Sequence, residues 1–151
     1  MPVALRPAIN RDFDFCRGLY FDEMKWIIEE LHLDRAAQEV GFKEQWDPTQ
    51  VRVVAFDGVD IGWLQTVTRH DEFFIAQLFV ARAFQRRGIG TELMKRLIEE
   101  AERAGQSVCL EVVKINPARR LYERLGFRVI DEDERKFHMK RDRNSAARSA
   151  S

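Results

Sequence analysis

The chain has 151 residues with 25 basic and 25 acidic side chains, so its formal net charge is zero and nothing in its overall charge draws it to nucleic acid or an anionic membrane. Hydrophobic residues make up 45% and charged residues 33%, a globular composition long enough to bury one core without staples. No apolar run approaches the roughly 20 residues of a membrane span, and residues 1–10 lack the charged-then-apolar order of a signal peptide.

Residues 3–6 predict a short first strand, ended by Pro7. Residues 12–30 predict a helix, because Phe15, Leu19, Tyr20 and Ile27 recur at helical steps behind an acidic start at Asp12; Gly18 marks a kink or break within it. Asp34 caps a second helix that runs to about Gln45, and Pro48 closes this block. Residues 51–56 are rich in β-branched side chains, residues 57–60 (Asp-Gly-Val-Asp) form a turn, and residues 61–68 return as the partner strand. After a turn at residues 70–72, residues 73–80 are apolar on both faces except at Gln77, the pattern of a central strand covered above and below.

A strand-loop-helix unit follows, with the loop at residues 81–87 and the helix from Gly88 to Ala104. Ile89, Leu93, Leu97, Ile98 and Ala101 form the buried stripe of that helix, and Gly105 stops it. Residues 107–113 form a further strand. Asn116 and Pro117 open a short helix that Gly126 ends, with Pro117 at its first position. Residues 127–130 and 136–140 are closing strands around the charged run 131–135, a solvated hairpin turn. Residues 1–142 are read as one domain and residues 143–151, built of Arg, Asn, Ser and Ala, as a loose disordered tail. Cys16 and Cys109 form no CxxC, and His32, His70 and His138 lack ligand spacing, so neither a disulfide framework nor a metal is expected and the reducing cytoplasm is the default compartment.

The chemical signal lies at Gln85, Arg86, Arg87, Gly88, Ile89, Gly90 and Thr91, between a buried strand and an amphipathic helix. A helix start leaves backbone N–H groups unpaired and carries partial positive charge, and both favour an anion there. The glycines let the backbone approach a phosphate, Arg86 and Arg87 add charge, and Thr91 adds a hydroxyl. A pyrophosphate suits this arrangement. The GxxxxGK[ST] pattern is absent, and Leu93 stands where the third glycine of GxGxxG would be.

This run resembles the (Gln/Arg)-x-x-Gly-x-(Gly/Ala) signature of the GCN5-related N-acetyltransferase (GNAT) family, and residues 116–127 look like that family's helix after the fifth strand. The resemblance covers residues 73–130 and implies an α/β (α+β) fold. Its mixed, twisted sheet would split between the fourth and fifth strands, with helices on both faces. It implies acetyl-CoA as co-substrate, its pyrophosphate on the glycine loop and its pantetheine arm paired with the backbone of Leu78, Phe79 and Val80. Asn116 would bond the arm or pin the local loop, and Ala118 and Arg119 would line the exit. Arg82 departs from a proline common at that place, which bears on the turn and not on the phosphate loop.

The resemblance assigns Tyr122 as the acid that returns a proton to the thiolate, since a phenol near pKa ~10 is matched to that task. The base that deprotonates the amine has no family glutamate here, because Phe74 stands in its place; Glu72, Glu111 or a water relay are the candidates. For the acceptor, Asp22, Glu23, Trp26 and Phe74, with Tyr20, Trp63, Phe73 and Glu30, suit a cationic small-molecule or amino-acid-like amine. Two rival readings stand beside this one: a non-catalytic coenzyme A-binding sensor, and a nucleic-acid module using Arg82, Arg86, Arg87, Arg119 and Arg120, which the zero net charge disfavours. Dimers are common in the family, so a homodimer is open, though no residue run fixes an interface.

Overall fold

The computed structural model describes residues 3–143; the expected tail therefore lies, from residue 144 onward, outside the described residues. Seven strands form one sheet in the order β1-β2-β3-β4-β5-β7-β6, and β4 takes the central place that its two-sided apolar pattern predicts. These strands are β1 (Val3–Pro7), β2 (Val51–Phe56), β3 (Val59–Arg69), β4 (Glu72–Val80), β5 (Ser107–Val113), β6 (Arg128–Glu132) and β7 (Lys136–Arg141). The helices are α1 (Phe13–Glu30), α2 (Arg35–Gln45), α3 (Ile89–Arg103) and α4 (Arg119–Arg124). β4 and β5 pair in parallel, over four residue pairs from Glu72 with Ser107 to Ile75 with Leu110. Both strands continue beyond that short ladder.

Two compact units can be distinguished, and their boundary falls inside β3 and β4. The first comprises Met1–Gln65 and Gln77–Gly90. Its core joins Cys16, Leu19, Tyr20, Phe21 and Ile28 of α1 to Phe42 of α2 and to Val51, Val53 and Trp63 of the sheet. Gly18 does not break α1, which is continuous through it. A helix tolerates one interior glycine at a cost of about 1 kcal/mol, and the buried face on both sides outweighs that. Asp12 stands at the start of α1, as its N-cap residue. It ends a 3-10 turn, is buried, and takes two hydrogen bonds from the Arg6 guanidinium at 2.9 and 3.0 Å.

The hairpin turn shortens to Asp57 and Gly58, both with positive φ, and Val59 and Asp60 already belong to β3. A two-residue turn with both residues left-handed has the twist that antiparallel strands need. Pro7 is kept inside β1, opposite Arg52, because β1 is an edge strand where a missing N–H costs little.

The second unit comprises Thr66–Ala76 and Thr91–Ser151. Leu93, Met94, Leu97 and Ala101 form the buried stripe of α3, and Val108, Leu110, Val112 and Met139 are buried on β5 and β7. α4 starts at Arg119, later than Pro117, because Asn116 and Pro117 are spent on the turn that leads in. β6 excludes Phe127 and extends to Glu132, so the charged hairpin turn contracts to Asp133, Glu134 and Arg135.

Candidate active site

In the first unit, β4 ends at Val80, and Ala81 N–H donates to Ile61 O at 2.7 Å, holding the strand end against β3. A 3-10 turn, Arg82–Phe84, then leads into the glycine loop. Arg86 and Gly88 both take positive φ, at 63° and 79°. Alternating left-handed residues turn successive N–H groups toward one side and form an anion-binding concavity. Among the described residues, the N–H groups of Gly88, Ile89 and Gly90 donate to no backbone acceptor. A Cβ built on Gly88 or Gly90 would meet no protein atom within 4 Å, so neighbouring side chains do not explain these glycines. Arg82, Arg86 and Arg87 are exposed beside the concavity, and the Arg87 guanidinium sits 5.3 Å from the Phe84 ring centre. Free donors, open space and positive charge together fit a diphosphate.

Gln85 ties this loop to its surroundings. Its Nε2 donates to Val80 O at 2.8 Å and to Glu23 Oε1 at 2.5 Å. Glu23, expected on the acceptor side, and Gln85, expected on the phosphate side, are thus direct partners. The pairing spans 62 residues, and local sequence carries no signal for it.

In the second unit, Tyr122 lies on α4, whose C-terminal end is built to hold it. The Tyr122 carbonyl accepts from Leu125 N–H and Phe127 N–H, both at 3.0 Å, and Gly126 supplies the left-handed closure with φ 96°. Arg141 covers that closure. Its Nε donates to Leu125 O at 2.9 Å, and its NH1 is held by Glu102 at 2.8 Å. The Tyr122 ring meets Phe127 edge-on at 6.1 Å. Burial pushes the phenol above its ordinary pKa, so the hydroxyl keeps its proton through the neutral range. Among the described residues that hydroxyl makes no hydrogen bond. Asn116 Oδ1 accepts from Ala118 N–H at 2.9 Å.

The model of the acetyltransferase (GNAT) family matches residues 13–127. The chain belongs to the GNAT acetyltransferase family. A curated relative, an uncharacterized N-acetyltransferase of Methanocaldococcus jannaschii, is 34% identical over 77 residues, 49% of this chain; the chain spans 34% of that relative's length. In fold, the chain is similar to the PaiA N-acetyltransferase of Thermoplasma acidophilum in complex with coenzyme A, with a TM-score of 0.78 at 16% identity over 94% of this chain and 99% of that one. It is also similar to N-acetylglutamate synthase of Neisseria gonorrhoeae complexed with coenzyme A and N-acetyl-glutamate. The TM-score there is 0.65 at 20% identity, covering 93% of this chain and 35% of that one.

Within this GNAT chain the other anticipated residues have varied surroundings. Leu78, Phe79 and Val80 are half-buried at the end of β4, and Phe79 packs on Tyr20 and Trp63, each at 5.5 Å between ring centres. Asp22 is exposed and Trp26 is 43% exposed on α1, whereas Trp63 is fully buried. Phe74 is half-buried under the Arg69 guanidinium at 5.5 Å. Glu72 is the first residue of β4; it accepts from the Cys109 thiol at 2.7 Å and pairs with Lys140 at 3.6 Å. Glu111 pairs with Lys136 at 3.3 Å and with His138 at 3.4 Å. Thr91 opens the second unit's share of α3, and the Arg119 guanidinium stacks on Phe137 at 4.3 Å. Among the described residues no group of His, Cys, Asp or Glu could hold a metal ion, and no helix is long and apolar enough to cross a membrane.

The sequence reading did not anticipate a polar-walled cavity in the first unit. Gln38, Gln45, Gln65 and Gln77 line one cavity of the first unit. Gln77 stands out in sequence as the single polar interruption of residues 73–80.

Proposed function

We propose that the chain is an N-acetyltransferase that moves the acetyl group of acetyl-CoA to a primary amine of a small-molecule or amino-acid-like acceptor. The observation that carries the reading is the row of unpaired backbone N–H groups at Gly88, Ile89 and Gly90, next to a left-handed Arg86 and three exposed arginines. Acetyl-CoA supplies an activated thioester. In the proposal, the pyrophosphate is gripped by the loop of residues 85–91 and the pantetheine arm by the backbone of Leu78, Phe79 and Val80. Ala118 and Arg119 flank the exit. Tyr122 holds the proton that a departing thiolate needs, and its buried, still-protonated phenol supports that role. The N-acetylglutamate synthase structure contains an acetylated amino acid, which supports an amino-acid-like acceptor.

Glu72 and Glu111 are the proposed bases, each held by partners that lie close enough to restrain it. Glu72→Gln and Glu111→Gln, each followed as kcat/KM against pH, identify the base as the one whose loss removes the rise with pH. An unchanged profile in both assigns the proton to a water relay.

Calorimetry with acetyl-CoA, run beside an assay of coenzyme A release with a panel of amines, tests the whole reading. Micromolar binding with amine-dependent release is expected. Binding without release from any amine selects the coenzyme A sensor instead, and no binding at all removes both.

A further inference from the structure

A cavity of about 150 Å³ opens in the first unit beside α2. Its walls are the rings of Tyr20, Phe42, Trp46 and Trp63 and the side-chain amides of glutamines on α2, β3 and β4. No charged side chain lines it. Two of its residues, Ala37 and Gln45, are exposed, so solvent reaches it along α2. A volume of this size accommodates one benzene-sized ring.

The polar content of the wall is specific. Trp63 is fully buried, and among the described residues its indole Nε1–H has no hydrogen-bond partner. Native proteins rarely leave a buried donor unanswered without a functional reason. The Trp46 indole Nε1–H is likewise buried without a hydrogen-bond partner among the described residues. Gln65 is also buried and is fixed in place, with its Nε2 donating to Gln45 O and Gln50 Oε1, both at 2.9 Å. Rings and neutral amides with two unanswered indole donors suit an uncharged planar group that can accept a hydrogen bond. They offer no counter-charge to a polycation. Asp22 and Glu23 are absent from the wall, and Glu23 is taken up by Gln85.

The cavity also adjoins the strand end. Gln77 lines it, Leu78, Phe79 and Val80 follow directly, and the Phe79 ring packs on two of the wall residues, Tyr20 and Trp63. We propose that this cavity seats the non-reacting end of the acceptor: an uncharged aryl group whose carbonyl or ring nitrogen accepts from Trp63 Nε1–H. The proposal rests on the acetyltransferase reading for the word acceptor, while the cavity's ligand chemistry rests on its lining alone.

The test uses the full chain and three probe amines: 4-(2-aminoethyl)benzamide, 2-phenylethylamine and spermidine. Trp63→Phe removes the N–H and keeps an aromatic ring. Gly41→Leu fills the space from α2, where a Cβ meets nothing within 4 Å, and so serves as a second variant should Trp63→Phe not fold. Calorimetry should show 4-(2-aminoethyl)benzamide bound by the natural protein, about tenfold more weakly by Trp63→Phe, and not by Gly41→Leu. The affinity for 2-phenylethylamine should change less than twofold in Trp63→Phe, and KM in the transfer assay should follow the binding constants. Equal affinity for the benzamide in all proteins, or a preference for spermidine, overturns the proposal. Binding of the benzamide without acetyl transfer upholds the cavity's ligand class and removes the transferase reading; transfer to spermidine without benzamide binding does the reverse.

Discussion

Gly62 on β3 stands so close to the Phe79 carbonyl of β4 that any Cβ at residue 62 would overlap the Phe79 oxygen, with the Val80 Cα only 3.3 Å away. Both neighbours are backbone, so no flexible side chain can yield. The close approach sets the position of the strand end assigned to the pantetheine arm. Gly62→Ala should therefore displace Phe79 and Val80, destabilise the fold by about 1–3 kcal/mol, and weaken acetyl-CoA binding. Thermal melts and calorimetry check it; a loss in melting temperature of roughly 2–4 °C per kcal/mol is the expected scale. An unaltered Tm would show that β3 and β4 separate freely here.

The two loop glycines should respond differently. Gly88 has φ 79°, so any side chain there is strained by about 1–2 kcal/mol, and Gly88→Glu adds a carboxylate beside the expected diphosphate. A tenfold or greater loss of acetyl-CoA affinity is expected. Gly90 has neither a positive φ nor a neighbour within 4 Å, so Gly90→Ala should leave Tm unchanged or slightly higher. Any affinity lost in Gly90→Ala then reports contact with the ligand itself. Full affinity in Gly88→Glu would place the diphosphate elsewhere.

Tyr122→Phe removes one hydroxyl from a ring held by Phe127 and by the Gly126 closure, so the fold should be kept. Loss of a general acid lowers kcat by about 10²–10⁴. The acetyl-CoA dissociation constant should change less than threefold. A kcat within twofold of the natural protein would assign the proton to another donor.

Stability should fall on the alkaline side. Burial pushes the Cys16 thiol up to about 11 from 9.0 and, with the Glu72 carboxylate beside it, the Cys109 thiol up to about 12. Burial also raises the phenols of Tyr20 and Tyr122. From about pH 9 upward the unfolded chain sheds protons that the folded chain still holds, so rising pH favours unfolding. The contribution is fully present below pH 9 and is lost as pH climbs through the raised values. Melts between pH 8 and 11 check this, and Cys16→Ala should flatten the slope; an identical slope in that variant would exclude the thiol.

Much of the scaffold is legible in sequence because it follows from local chemistry. The β-branched run of residues 51–56 with its turn and return strand, the two-sided apolar run of β4, the Asp34 cap and the stops at Gly105 and Gly126 all act within a few residues of themselves. The errors arise where tertiary contacts decide. Gly18 leaves α1 intact because flanking side chains are buried. The glycine loop is legible because backbone conformation is written in its glycines, but the left-handed Arg86 is not. The cavity was hidden, since its wall draws on Tyr20, Phe42, Trp63 and Gln77, which are far apart in sequence and meet only in the folded unit.

The side-chain amide of Gln85 has a wider consequence. By bonding Glu23 and Val80 O together, it makes the phosphate loop, the strand end and helix α1 a single linked assembly. Whatever ligand stiffens the loop also restrains the helix that carries Glu23, and thermodynamic reciprocity requires the converse. The two reactants of a transfer reaction would then enter as correlated events, the first arrival shifting the affinity for the second by the same factor in either order.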